Sequence, residues 1–89
     1  MPVANVKIYT TGTCSYCVSA KALLKEKKVT PTEIRIDKSD EDREEMIELT
    51  GKSSVPQIFI NGKLIEGGLN ELERLNSSGE LDELLRGTS

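Results

Sequence analysis

The sequence holds two cysteines, Cys14 and Cys17, and their placement limits the fold more than any other feature. Upstream, Val3 to Tyr9 is apolar and β-branched, with Val6 and Ile8 alternating against Lys7, which reads as a strand. Thr10-Thr11-Gly12-Thr13 breaks it. From Cys14 onward the spacing turns helical. Cys17, Ala20 and Leu24 share a face with Leu23 beside them, and Lys25, Lys27 and Lys28 gather where a helix dipole favours cations. Thr30-Pro31 is expected to stop this helix. A C-x-x-C pair that follows a strand and opens a helix is in the setting where two thiols do redox chemistry.

The physical reason is local. Unpaired amides and the helix dipole at a helix N-terminus stabilise an anion. A thiol there ionises more easily than free cysteine, at pKa values of roughly 3.5 to 7.5 against about 8.5. Cys14, at the cap, is the expected exposed nucleophile. Cys17, one turn in, is the expected shielded, resolving thiol, and the spacing puts both sulfurs on one side within reach of a disulfide. The competing reading is a structural staple. A loop this short removes little unfolded-chain entropy, on the order of 2 kcal/mol, and a cytosolic chain rarely keeps a structural disulfide.

The rest of the chain continues the alternation. Glu33 to Asp37 reads as a second strand, and Ser39 as the N-cap of a helix whose apolar face is Met46, Ile47 and Leu49 and whose C-cap is Gly51. Gln57 to Ile60 and Lys63 to Ile65 flank Asn61-Gly62, a strong local hairpin signal. Gly67-Gly68 ends the hairpin. Leu69, Leu72 and Leu75 then repeat at helical spacing, and a last turn or two carries Leu81, Leu84 and Leu85. The order β-α-β-α-β-β-α implies one α/β domain over residues 1–89: a thioredoxin-like fold, with a four-stranded mixed sheet flanked by helices.

Composition removes whole classes of function. With no His there is no Ser-His-Asp or Cys-His pair and no imidazole ligand, so no metal is expected from one chain. A net charge of -3, with 12 Lys+Arg spread along the chain, disfavours nucleic-acid binding. No apolar run approaches the ~18 residues of a membrane span, and no secretory signal is visible, so a cytoplasmic monomer is expected. Asp37 to Glu45 is acidic but lacks the glycine of a calcium loop and reads as a capped, solvated face.

Three further segments admit a ligand. Ser54-Val55-Pro56 leads into the third strand; Pro56 cannot donate to a ladder, and either isomer of the Val55-Pro56 bond fits the residues. Gly67-Gly68-Leu69-Asn70 permits close approach to helix amides that could hold a carboxylate, or is a plain turn with Asn70 as cap. Tyr16 could pack on a bound peptide, and Lys52 could meet a ligand carboxylate or stand solvated.

Taken in order, Ile8-Tyr9-Thr10, Thr13-Cys14-Ser15-Tyr16-Cys17, Ser54-Val55-Pro56-Gln57-Ile58-Phe59-Ile60-Asn61-Gly62 and Gly67-Gly68 resemble glutaredoxins over nearly the whole chain. The resemblance implies a cis Pro56 and glutathione as co-substrate. It also implies reduction of protein disulfides and glutathionylated thiols, with Cys14 as nucleophile and Cys17 resolving. It marks Thr11, Tyr16, Lys52, Val55, Pro56, Gly68, Leu69 and Asn70 as the glutathione-binding set.

The chain departs from that pattern in four places. Thr11 stands where many glutaredoxins carry Lys, Ser15 where many carry Pro, and Leu69-Asn70 where an Asp often follows; Glu66 adds a residue before Gly67. Thr11, Leu69 and Asn70 motivate an alternative, a donor reduced by a flavin-dependent thioredoxin reductase, for example serving ribonucleotide reductase. A third reading, from another class, is a dimer holding an iron–sulfur cluster or zinc between two chains.

Overall fold

A computed structural model describes residues 5–86. Strands β1 (Val6–Thr10), β2 (Thr32–Arg35), β3 (Gln57–Ile60) and β4 (Lys63–Ile65) form one sheet in the order β2-β1-β3-β4. β1 pairs parallel with β2 and antiparallel with β3, and β3 pairs antiparallel with β4. Helices α1 (Ser15–Glu26), α2 (Asp40–Thr50), α3 (Gly68–Ser78) and α4 (Glu80–Leu85) surround it. The expected thioredoxin-like architecture is present.

The two-residue period of the strands divides the core. Val6, Ile8, Ile58 and Ile60 turn to one face and pack with Ala20 and Leu24 of α1, Leu72 and Leu75 of α3, and Leu81 of α4. Tyr9 turns to the other face and packs with Ile36 and Met46, flanked by Ile34, Val55 and Phe59. Tyr9 and Phe59 meet edge to face at 6.1 Å. The Tyr9 hydroxyl donates to Glu45 Oε1 at 2.9 Å, fixing α2 to the sheet. That carboxylate and the burial of the ring push the Tyr9 hydroxyl up to about 12, burial contributing most, so it remains a donor at every ordinary pH.

Several boundaries follow the reading of the sequence. Ser39 caps α2, its Oγ accepting from Asp42 N at 3.3 Å, and Gly51 closes it at φ 73°. Asn61 (φ 52°) and Gly62 (φ 83°) make the hairpin turn, and their positive φ values explain the residue choice.

Others differ, each for a reason visible in the packing. Val3, expected in the first strand, lies outside the described residues. Thr10 does not break that strand but ends it, fully buried, with its Oγ1 donating to Glu33 Oε2 at 2.7 Å. α1 ends before Thr30-Pro31: Lys28 takes φ 63° and Val29 N returns to Leu24 O at 3.0 Å, which folds Val29 back into the core. β2 releases Asp37, whose carboxylate has other partners. Along α2 only Met46 of the expected apolar face is buried, while Ile47 and Leu49 are exposed. Asp42, Met46 and Thr50, four residues apart, face the sheet instead, because the apolar patch there is too narrow for a wider stripe. Asn70 does not cap α3; Gly67 occupies the cap at φ 101° and no side chain closes it.

The packing sets a contrast in stability. Leu24→Ala is expected to cost about 2–5 kcal/mol by urea denaturation, and Leu49→Ala less than about 0.5 kcal/mol, the scale of an exposed position.

Candidate active site

The loop after β1 delivers Cys14 to the N-cap of α1 in an extended conformation, φ -96° and ψ 111°. Its Sγ accepts the amide hydrogen of Cys17 at 3.2 Å, the capping bond of the helix. An anionic sulfur accepts such a bond more strongly than a thiol. The Cys14 thiol faces the Val55 carbonyl at 3.9 Å, a long contact that sets the sulfur beside the loop before β3.

Cys17 differs in burial and in protonation. It is fully buried, whereas Cys14 is half-buried, and both are free thiols. Burial, then the adjoining Cys14 thiol, pushes Cys17 up to about 12; the Thr11 backbone amide and the Lys21 ammonium oppose the shift. Lys21 itself is held at 2.9 Å by Glu33, which also accepts from Thr10. One sulfur is therefore approachable and the other enclosed and neutral.

Beside Cys14 runs a groove of about 310 Å³. Tyr16, 65% exposed, forms one side, and the Val55-Pro56 segment with its cis bond forms another. The start of α3 closes the third side with Gly68, Leu69 and Asn70, and Lys52 also lines the groove. Gly68 takes φ 58°, and a Cβ there would lie 3.1 Å from the Pro56 carbonyl oxygen. Only glycine lets α3 approach that closely without strain. The groove thus sees the positive end of an 11-residue helix with no side-chain cap, together with a lysine. Both favour a carboxylate ligand.

Of the eight binding residues that the resemblance marks, the structure gathers seven along this groove: Tyr16, Lys52, Val55, Pro56, Gly68, Leu69 and Asn70. Thr11 is not among its lining and sets its backbone amide against the Cys17 sulfur instead. Ser54 and Gly67, which belong to the ligand-admitting segments read from the sequence but not to the marked set, also line the groove, as does Gln57, which the sequence shows as the start of a strand. Gln57 Nε2 donates to the Ser54 carbonyl at 2.8 Å and so braces the loop around Pro56. A polar side chain directly after Pro56, buried at a strand start, was the signal for it. None of the described helices is long and apolar enough to cross a membrane.

Comparison with known proteins agrees with this geometry. The glutaredoxin family model matches residues 6–65. Glutaredoxin 3 of Escherichia coli strain K12 is 50% identical over 84 residues, which span 94% of this chain and 100% of that protein. The solution structure of a glutaredoxin from Brucella melitensis superposes with a TM-score of 0.82 at 40% identity, covering 98% of this chain and 94% of that one. The crystal structure of a buckwheat glutaredoxin–glutathione complex superposes with a TM-score of 0.83 at 27% identity, covering 96% of this chain and 79% of that one.

The difference between the two sulfurs is open to direct chemistry. Thiolate is the species that alkylates, and a thiol raised to about 12 stays protonated at neutral pH. Iodoacetamide at pH 7 should add one equivalent to the native reduced protein, on Cys14. A second should add to Cys17 only after unfolding, both read by peptide mass spectrometry.

Proposed function

The chain belongs to the glutaredoxin family of thiol–disulfide oxidoreductases, and from that premise we propose that it reduces protein disulfides and glutathionylated thiols with glutathione as co-substrate, Cys14 attacking and Cys17 resolving. The observation that carries this reading is the Cys17 amide donating to Cys14 Sγ at 3.2 Å, with that sulfur 3.9 Å from the carbonyl of Val55, a lining residue of a groove suited to a carboxylate-bearing peptide. The complex of the buckwheat relative with glutathione supports the choice of co-substrate.

On a glutathionylated protein, the Cys14 thiolate attacks the glutathione sulfur. A bond forms between Cys14 and glutathione, the old S–S bond breaks, and the protein thiolate leaves and takes up a proton. A second glutathione, as thiolate, attacks the glutathione sulfur held on Cys14. Oxidised glutathione departs and Cys14 is again a thiolate. The protein sulfur passes from disulfide to thiol as the sulfur of the second glutathione passes from thiol to disulfide, and the first glutathione sulfur stays at the disulfide level throughout.

On a protein disulfide, Cys14 forms a mixed disulfide with one substrate sulfur and releases the other. Cys17 then gives up its proton and attacks Cys14, which frees the reduced substrate and leaves an intramolecular disulfide. Two glutathiones restore the dithiol. Enclosure of Cys17 keeps it from competing with Cys14 for the first attack. Its high pKa makes proton loss part of the resolving step.

In the groove, Lys52 and the amides at the start of α3 are assigned to the carboxylates of glutathione, the Val55 backbone to its extended chain, and Tyr16 to the side next to the sulfur. This gathering of seven marked residues favours glutathione over a flavin-dependent reductase as the reductant.

The two routes separate the two cysteines. Cys14→Ser is expected to lower both deglutathionylation and protein disulfide reduction to the uncatalysed rate. Cys17→Ser is expected to keep deglutathionylation and lose protein disulfide reduction, with coupled oxidation of NADPH through glutathione reductase as the readout. Full reductase activity in Cys14→Ser would refute the assignment.

A further inference from the structure

Behind the nucleophile lies a cluster that the mechanism above does not use. Asp37, released from the end of β2, accepts two hydrogen bonds from Arg35: Nε to Oδ1 at 2.8 Å and Nη2 to Oδ2 at 2.7 Å. The same Oδ2 accepts the backbone amide of Gly12 at 3.1 Å. Gly12 stands in the short loop between β1 and Cys14, two residues and at most about 7 Å from it.

The guanidinium also lies over Gly12. A Cβ at position 12 would collide with Arg35 Nη2 and come within 3.1 Å of Arg35 Cζ and 3.3 Å of Asp37 Oδ2. Gly12 does not have a positive φ, so a side chain there would displace the end of Arg35 from the loop and would not strain the backbone. A second bond, Ile36 N to Thr10 O at 2.9 Å, holds the ends of β1 and β2 together beside this cluster. The neighbouring Glu33 is hydrogen-bonded to Lys21 and Thr10, and its charge reaches the guanidinium only through space.

An ordinary surface ion pair contributes little. This one is bidentate, and its acceptor is shared with a loop amide, which gives it a geometric role. The guanidinium holds the Asp37 carboxyl well below the usual carboxylate range, the Gly12 amide adding to the effect, so the pair stays charged through the working pH range. It also places a full negative and a full positive charge beside a segment with no charge of its own: residues 10–20 contain no Asp, Glu, Lys or Arg.

We propose that Arg35 and Asp37 are positioning residues for the nucleophile, forming a carboxylate–guanidinium clasp that closes over Gly12, fixes the loop before Cys14 and balances the charge beside it. The proposal rests on the reading of Cys14 as the attacking sulfur. Neither residue touches the groove or the sulfurs; both act through the backbone and through the field. Removing either charge leaves its partner less balanced beside the thiolate, so the two removals act with opposite sign.

The test measures the rate at which iodoacetamide alkylates Cys14 at pH 7 and low ionic strength, with thermal melting as the control for folding. Asp37→Asn keeps a carbonyl oxygen for the Gly12 amide and leaves the cation unbalanced. The rate should rise about two- to threefold, the Coulomb effect of one charge roughly 7–10 Å away across water. Arg35→Gln leaves the carboxylate unbalanced and should lower the rate by a similar factor. The double variant should return to the wild-type rate, and molar salt should collapse both single shifts. Rates that move in the same direction in both single variants, as loss of a mere brace would cause, overturn the proposal. So do wild-type rates in both. Because the rate is read on the thiol itself, the outcome is separate from the turnover assay that tests the role of Cys14.

Discussion

The amide of Cys17 donating to the sulfur of Cys14 is the contact around which the molecule is arranged. It is a helix cap made by the sulfur that the proposed mechanism uses as its nucleophile. That bond satisfies a backbone donor at the start of α1 and holds the sulfur at the head of the helix. It needs a strand that ends one short loop earlier, a helix that begins at residue 15, and a second cysteine whose own sulfur is buried. Each of these is a packing requirement. β1 lies centrally in the sheet, and Ala20 and Leu24 seat α1 against its face. The chemistry of the site is therefore set by the core below it.

The groove depends on the same core in a less local way. Its sides come from the start of α1, the segment before β3, and the start of α3, which lie far apart in sequence. The antiparallel pairing of β3 with β1 carries Val55 and Pro56 to the side of Cys14. The hairpin then returns the chain so that Gly67 and Gly68 open α3 against the Pro56 carbonyl. Glycine at position 68 keeps that approach possible. Thiol and groove are thus two products of one sheet order.

Most of this was legible in the residues. Alternation along Val6 to Tyr9, the Asn61-Gly62 turn and the Ser39 cap are local signals, and local signals survive folding. The cysteine pair announced its own helix. Less legible was whatever depends on a distant partner. Ile47 and Leu49 looked like core because they are apolar, but the sheet offers α2 only a narrow patch around Tyr9. The end of α1 was set by Val29 turning inward, a tertiary pull that outranked the breaker at Pro31. Gln57 was missed because its value lies in bracing Ser54. The clasp of Arg35 and Asp37 over Gly12 was invisible as a pattern, since it joins residues more than twenty positions apart.

The central claim is that one sulfur, at residue 14, takes the glutathione and that the adjoining groove receives it. The most direct measurement is to trap that state: treat Cys17→Ser with oxidised glutathione and map the adduct by peptide mass spectrometry and by amide shifts in a nitrogen-15 spectrum. The account predicts one glutathione, disulfide-linked to Cys14, with shifts concentrated at Tyr16, Lys52, Val55 and Gly68 to Asn70. No adduct, or shifts that leave the groove untouched, would contradict it.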